Sequence, residues 1–199
     1  MAGLVAMQPP APKLANPGPL GLAGFGLTTI VLSTINAGLL PPEAAAVVVP
    51  LAFSYGGVAQ IIAGILEFRC GNTFGMVAFT SYGLFWWWFA LLKWTIGAGW
   101  LKAPPASAIA VTLLAWGAFT FLLWIVTFRS NKAVWSIFFL LWVTFVLLGL
   151  GDLGHTQLGH LGGYFGLATG IDALLVAFIE VLNATANRVV IPLGSPIIR

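Results

Sequence analysis

Charged side chains are scarce in this chain: 8 Lys and Arg with 5 Asp and Glu make up 7% of its 199 residues, against about 25% in a soluble domain. So few could not solvate the surface of a globule this size, which excludes a soluble protein. No basic run interleaved with aromatics occurs and the formal net charge is only +3, which excludes a nucleic-acid binder. A single cysteine, Cys70, allows no internal disulfide and reads as a residue of a short turn. Two histidines, His155 and His160, cannot complete a metal site, so no metal and no cofactor is implied. No cationic segment precedes an apolar core in the first residues, which therefore do not read as a signal peptide.

What is abundant is apolar. Hydrophobic residues are 60% of the chain, with 24 Gly, 12 Pro and 9 Trp, a composition suited to helices packed closely in lipid. A helix needs about 20 mostly apolar residues to cross a hydrocarbon core of roughly 30 Å. Six stretches qualify, at residues 20–40, 47–66, 74–96, 107–128, 134–150 and 161–183. The expected fold class is all-α: a multi-pass membrane protein of six transmembrane helices. Residues 1–15 read as a disordered Pro- and Ala-rich lead, 16–184 as the membrane domain and 185–199 as a tail. Basic residues orient it. Lys13, Arg69, Arg129, Lys132, Arg188 and Arg199 fall on the side of the termini, and Lys93 and Lys102 on the other. The excess puts both termini in the cytoplasm.

Polar residues inside the spans mark packing or a pathway, because a polar group facing acyl chains costs several kcal/mol. In the first span Thr28, Thr29, Ser33 and Asn36 cluster on a stripe, with Phe25 one turn before. In the second, Gly57, Gln60, Gly64 and Glu67 lie along one face. Asn72 is an N-cap for the third, which carries Thr73, Ser81 and Tyr82; its Trp86-Trp87-Trp88 run reads as an interfacial aromatic belt. Gly162, Gly166 and Gly170, with Gly159 and Gly163, form GxxxG steps that read as helix packing. Asp172 is expected to face the interior, and Glu180 to be solvated or paired with Arg69 or Arg188. No nucleophile and base arrangement is recognisable, so the chain does not read as an enzyme.

The first span opens with Asn16-Pro17-Gly18-Pro19-Leu20-Gly21-Leu22, where prolines suit an extended lead-in or a first helical turn and Asn16 can cap backbone N–H groups. An Asn-Pro step also starts the half-helices of aquaporins, but there it occurs twice and mid-chain, and here once. The motif is followed by Gly24-Phe25-Gly26-Leu27-Thr28-Thr29, then Tyr55-Gly56-Gly57-Val58-Ala59-Gln60, Gly71-Asn72-Thr73-Phe74-Gly75, Phe79-Thr80-Ser81-Tyr82-Gly83 and Glu180-Val181-Leu182-Asn183. In this order the blocks resemble the acetate uptake transporter family, the succinate-acetate permease, SatP/YaaH-like group.

The resemblance implies a six-helix protomer around its own pore, a homo-hexamer in the plasma (inner) membrane, and passage of acetate and related small monocarboxylates, with succinate in some members. It also implies a hydrophobic constriction at Phe25, Tyr82 and Leu141, with Asn16, Pro17, Pro19 and Gly21 as the helix-start motif. The physics agrees with a weakly binding anion path: Thr28, Thr29, Gln60, Asn72, Thr73 and Ser81 supply neutral donors, and no Lys or Arg falls in the central third of a helix. Glu67, Asp172 and Glu180 are carboxyls able to relay a proton, as a symporter rather than a passive channel would need. The competing reading is a non-transporting scaffold or sensor whose polar stripes are packing glue.

Overall fold

The computed structural model describes residues 14–198. Most of the expected lead, Lys13 and Arg199 lie outside them. Six helices among the described residues are long and apolar enough to cross a membrane. They are α1 (Gly18–Asn36), α2 (Pro42–Arg69), α3 (Thr73–Gly97), α4 (Ala106–Thr127), α5 (Lys132–Asp152) and α6 (Thr156–Thr185).

The ends follow local chemistry. Helix α1 stops at Asn36, short of the apolar limit at residue 40, because Gly38 takes φ +75°, a left-handed turn that glycine adopts without strain. Helix α6 starts at Thr156, before its apolar run, since hydropathy overlooks a polar first turn that is helical all the same. Asn72 and Asn131 accept from the N–H groups of Gly75 and Val134 and so cap α3 and α5.

Helix α2 is composite. A 3₁₀ turn (Pro42–Val47) and a short α segment (Val48–Leu51) lead into a π-helical stretch (Ala52–Ala59), which returns to α at Gln60–Arg69. Such wide turns are rare and occur mostly at functional sites. This one carries Tyr55, Gly56 and Gly57 and packs on α1. At Gly24 a β-carbon would stand 2.5 Å from the Tyr55 carbonyl oxygen, so only glycine admits that approach.

Neighbours in the bundle are neighbours in the chain. Helix α1 packs on α2, α2 on α3, α4 on α5, α5 on α6 and α6 back on α1. Between α3 and α4 the ring is closed by side chains: Tyr82 lies 5.9 Å from Trp116 and 6.0 Å from Phe119, and Phe85 lies 5.2 Å from Trp116, ring centre to ring centre. Leu122, Val111, Leu175 and Phe178 are exposed on the outside, as lipid requires. Residues 185–198 fold back on the α4–α5 turn, where Ile197 and Ile198 N–H donate to the Phe128 carbonyl and Ala133 N–H to that of Leu193.

The GxxxG steps of α6 serve packing within the chain. A β-carbon at Gly170 would lie 2.8 Å from the Gly26 carbonyl oxygen and one at Gly26 2.7 Å from that of Gly170, so each glycine makes room for the other helix. Gly162 faces Leu147 and Leu148 of α5 in the same way. Gly170→Val should therefore destabilise the bundle by about 1–3 kcal/mol through overpacking against rigid backbone; an unchanged thermal midpoint in detergent would show that the α1–α6 contact is looser than this geometry.

Candidate functional site

Two cavities enter the ring of helices from opposite ends. One, about 360 Å³, lies toward the termini, among the start of α1, the end of α2, the starts of α3 and α5 and the end of α6. The other, about 580 Å³, lies among the end of α1, the end of α3, the start of α4, the end of α5 and the start of α6. Phe25 and Leu141 belong to both walls and Tyr82 to the first. Phe25 and Tyr82 stand 5.9 Å apart between ring centres, with Phe138 6.1 Å from Tyr82. The three residues expected to form a constriction are thus gathered where the cavities meet, all nearly inaccessible to solvent.

Tyr82 is pinned. Its hydroxyl donates to Thr120 Oγ1 at 2.9 Å, and the Thr120 hydroxyl in turn donates to the Trp116 carbonyl at 2.7 Å. Nothing in the apolar run of α4 singled out Thr120 beforehand.

The first cavity holds two matched polar clamps. Asn16 accepts from Gly18 N–H at 3.0 Å and donates to Glu180 Oε2 at 3.2 Å. Asn72 accepts from Gly75 N–H at 3.1 Å and donates to Glu67 Oε2 at 2.9 Å. Each asparagine thus links a helix N-terminus to a carboxylate of another turn or helix, and Glu180 is held by Asn16 rather than by Arg69 or Arg188. Pro17 and Pro19 begin α1 without needing to donate, and Gly21 leaves space for the Phe79 ring, 2.5 Å from where its β-carbon would be.

Other expected path residues divide. Gln60 lines the first cavity and Thr29 the second. Thr28 is fully buried, but its hydroxyl is spent on the Gly24 carbonyl, and it lines neither cavity. Thr73 and Ser81 line neither cavity. Asp172 does not reach the path: it is half-buried between α5 and α6, where Ser136 Oγ donates to its Oδ2 at 2.6 Å. It sits one position off the stripe of Thr169, Ala173, Val176 and Ala177 that α6 buries.

The aromatic belt needs correction. Successive residues of a helix point about 100° apart, so three consecutive tryptophans cannot all face lipid. Trp86 is 2% exposed and lines the second cavity, Trp87 Nε1 donates to the Phe53 carbonyl at 3.1 Å, and Trp88 also lines the second cavity. Trp86 follows Tyr82 by one helical turn, a periodicity that the run of tryptophans masks.

Three buried polar atoms beside the girdle have no hydrogen-bond partner: Thr29 Oγ1, Gln60 Oε1 and Trp86 Nε1. Unmade bonds of this kind cost about 1–3 kcal/mol each; the indole N–H groups of Trp124, Trp135 and Trp142 are also unpaired but line neither cavity, so these three are the ones a ligand or water in the cavities could satisfy. Among the described residues no group of three His, Cys, Asp or Glu is placed to hold a metal ion.

Comparison with known proteins is consistent with this geometry. The model of the GPR1/FUN34/yaaH family matches residues 2–195. The succinate-acetate/proton symporter SatP of Escherichia coli (strain K12) is 42% identical, over 92% of this chain and 96% of its own length. Acetate permease A of Emericella nidulans is 36% identical, over 92% of this chain and 67% of its own. The solved structure of the bacterial acetate channel SatP superposes with a TM-score of 0.88 at 42% identity, covering 92% of this chain and all of that one.

Thr120→Val should strand the Tyr82 hydroxyl and cost about 1–3 kcal/mol, whereas Tyr82→Phe in the same background should recover part of the loss. A double-mutant cycle on thermal unfolding measures the coupling, and additive losses would mean that the 2.9 Å bond contributes nothing.

Proposed function

The chain belongs to the GPR1/FUN34/yaaH family, and from that premise we propose that it is a membrane channel or proton-coupled permease for acetate and related small monocarboxylates, and also for the dicarboxylate succinate. The observation that carries this reading is the pair of cavities opening from opposite ends of the bundle and meeting at Phe25, Tyr82 and Leu141. The names of its relatives, a succinate-acetate/proton symporter and an acetate permease, point to the same substrate class.

An apolar girdle narrow enough to exclude water holds back hydrated inorganic ions, whereas acetate presents a methyl group as well as its charge. Weak binding by neutral groups on either side then favours throughput over retention, because no Lys or Arg sits at the girdle to trap the anion. Glu67 and Glu180 in the first cavity are the carboxyls placed to relay a proton, with Asp172 to one side of the path. No catalytic role is assigned to any of them. The protomer assembles as a homo-hexamer in the plasma (inner) membrane. Arg69, Arg129, Lys132 and Arg188 on the side of the termini, against Lys93 and Lys102 on the other, put that side in the cytoplasm.

Liposomes carrying the purified protein should pass labelled acetate, and Phe25→Ala and Tyr82→Ala should each change the rate, or the preference for acetate over longer acids, severalfold. Unchanged flux in both variants would remove the constriction assignment. Vesicles impermeable to acetate, formate and succinate between pH 5 and 7 would favour a scaffold or sensor instead.

A further inference from the structure

The polar atoms left free in the two cavities differ in kind. In the first, one amide N–H of Asn16 and one of Asn72 are given to Glu180 and Glu67. Gln60 Nε2 is given to the Gly56 carbonyl at 2.6 Å, an acceptor-only partner that fixes which way the amide faces. The fully buried atom that remains unpaired there is Gln60 Oε1, an acceptor. In the wall of the second cavity the unpaired atoms are Trp86 Nε1, which can only donate, and Thr29 Oγ1, whose proton is free to turn. Ser33, one turn beyond Thr29 on α1, lines the same cavity and is 3% exposed.

The chain goes to some length to seat that indole. Gly56, within the π-helical stretch of α2, leaves the space: a β-carbon there would stand 2.9 Å from Trp86 Cγ and from Thr28 Oγ1. Phe85 and Phe89 present their edges or faces to the ring at 5.4 and 6.0 Å. Trp124, Trp135 and Trp142 also bury unpaired indole N–H groups but line neither cavity, so among these indoles Trp86 is the one placed where a solute can meet its donor.

We propose that Trp86 Nε1–H and Thr29 Oγ1–H form a carboxylate-binding subsite in the second cavity, immediately beyond the Phe25–Leu141 girdle, and that Trp86 is a specificity-determining residue of the path. The proposal rests on the reading of the chain as a carboxylate conduit. Both atoms are closed off from solvent when the cavity is empty, so a ligand reaches them only as the two side chains turn toward it. Lys93 and Asp152, of opposite charge, also line the cavity; the selective contact is with the neutral donors. The carboxylate oxygens accept from the indole and the hydroxyl, and the short alkyl group lies against Phe25, Phe85 and Phe145 of the same wall.

Trp86→Phe keeps an aromatic ring and removes the donor; Thr29→Val keeps the shape and removes the hydroxyl. Each should weaken acetate binding about tenfold, as expected for one lost hydrogen bond to a charged group, while the thermal midpoint of Trp86→Phe without ligand stays at or above that of the native chain. In protein with ¹⁵N-labelled indoles, the Trp86 N–H resonance, identified by its absence from Trp86→Phe, should move on adding sodium acetate and stay fixed in sodium chloride of equal ionic strength. Acetate flux through native protein with unchanged acetate affinity in both variants would overturn the subsite alone. An indole resonance that ignores acetate, or answers chloride equally, would do the same. Native vesicles that pass no acetate would instead overturn the reading on which it rests.

Discussion

Within a bilayer no water is at hand to complete a hydrogen bond, so each hydroxyl, amide and carboxyl of a span must find its partner inside the bundle or line a cavity that supplies one. The threonines show how completely this is met: Thr28, Thr120, Thr144 and Thr169 each return their hydroxyl to a carbonyl one turn earlier on their own helix. The carboxyls show it too, since Asp172 is held by Ser136, Glu67 by Asn72 and Glu180 by Asn16. Against that background the unpaired atoms of Thr29, Gln60 and Trp86 are exceptions, and they lie where the two cavities converge. The other buried unpaired atoms among the described residues are the indole N–H groups of Trp124, Trp135 and Trp142, in the aromatic cluster of α4 and α5 away from both cavities, so the unpaired atoms that line a cavity are those of Thr29, Gln60 and Trp86.

Close approach of the helices makes this possible. Glycines on α1 and α6 bring two backbones together, and Gly24 brings α1 against the widened turn of α2. Had those contacts been ordinary helix pairs, α2 would lie too far out for Gln60 and Glu67 to reach the interior, where both are almost fully buried. The same widened turn, through Gly56, creates the slot for Trp86. A backbone irregularity in one helix thereby positions polar groups on both sides of the girdle.

The six spans were legible from hydropathy because lipid imposes a length and a composition, and the ends missed were those governed by other chemistry: a left-handed Gly38 and the polar first turn of α6. Phe25, Tyr82 and Leu141 were all reached by resemblance, the first two anchored on sharp motifs and Leu141 on position alone in a helix of unbroken hydrophobicity. The widened turn of α2 left no trace in composition, since Pro50, Gly56 and Gly57 suit a plain membrane helix as well. Hydroxyls misled most. Thr28 turns its hydroxyl back on its own helix and so offers nothing to a solute, while Thr73 and Ser81 line neither cavity; only rotamer and neighbours separate such a hydroxyl from one on a path.

Scarcity of charge in the spans acquires a direction once the cavities are compared. The carboxyls of Glu67 and Glu180 lie close to the starts of α3 and α1, where the positive end of a helix dipole favours them. One N–H of each partner asparagine is thereby taken up, and the fully buried unpaired atom of that cavity is an acceptor, Gln60 Oε1. The opposite cavity keeps an indole and a hydroxyl as donors. A carboxylate anion can satisfy the donors but gains nothing from Gln60 Oε1, whereas the protonated acid carries a donor and an acceptor together and suits both walls. The buried unpaired atoms on the two sides of the girdle are thus of opposite hydrogen-bonding sense, and a carboxylic acid that can gain or lose its proton matches both, with carboxyls on each side: Glu67 and Glu180 on one, Asp152 with Lys93 on the other.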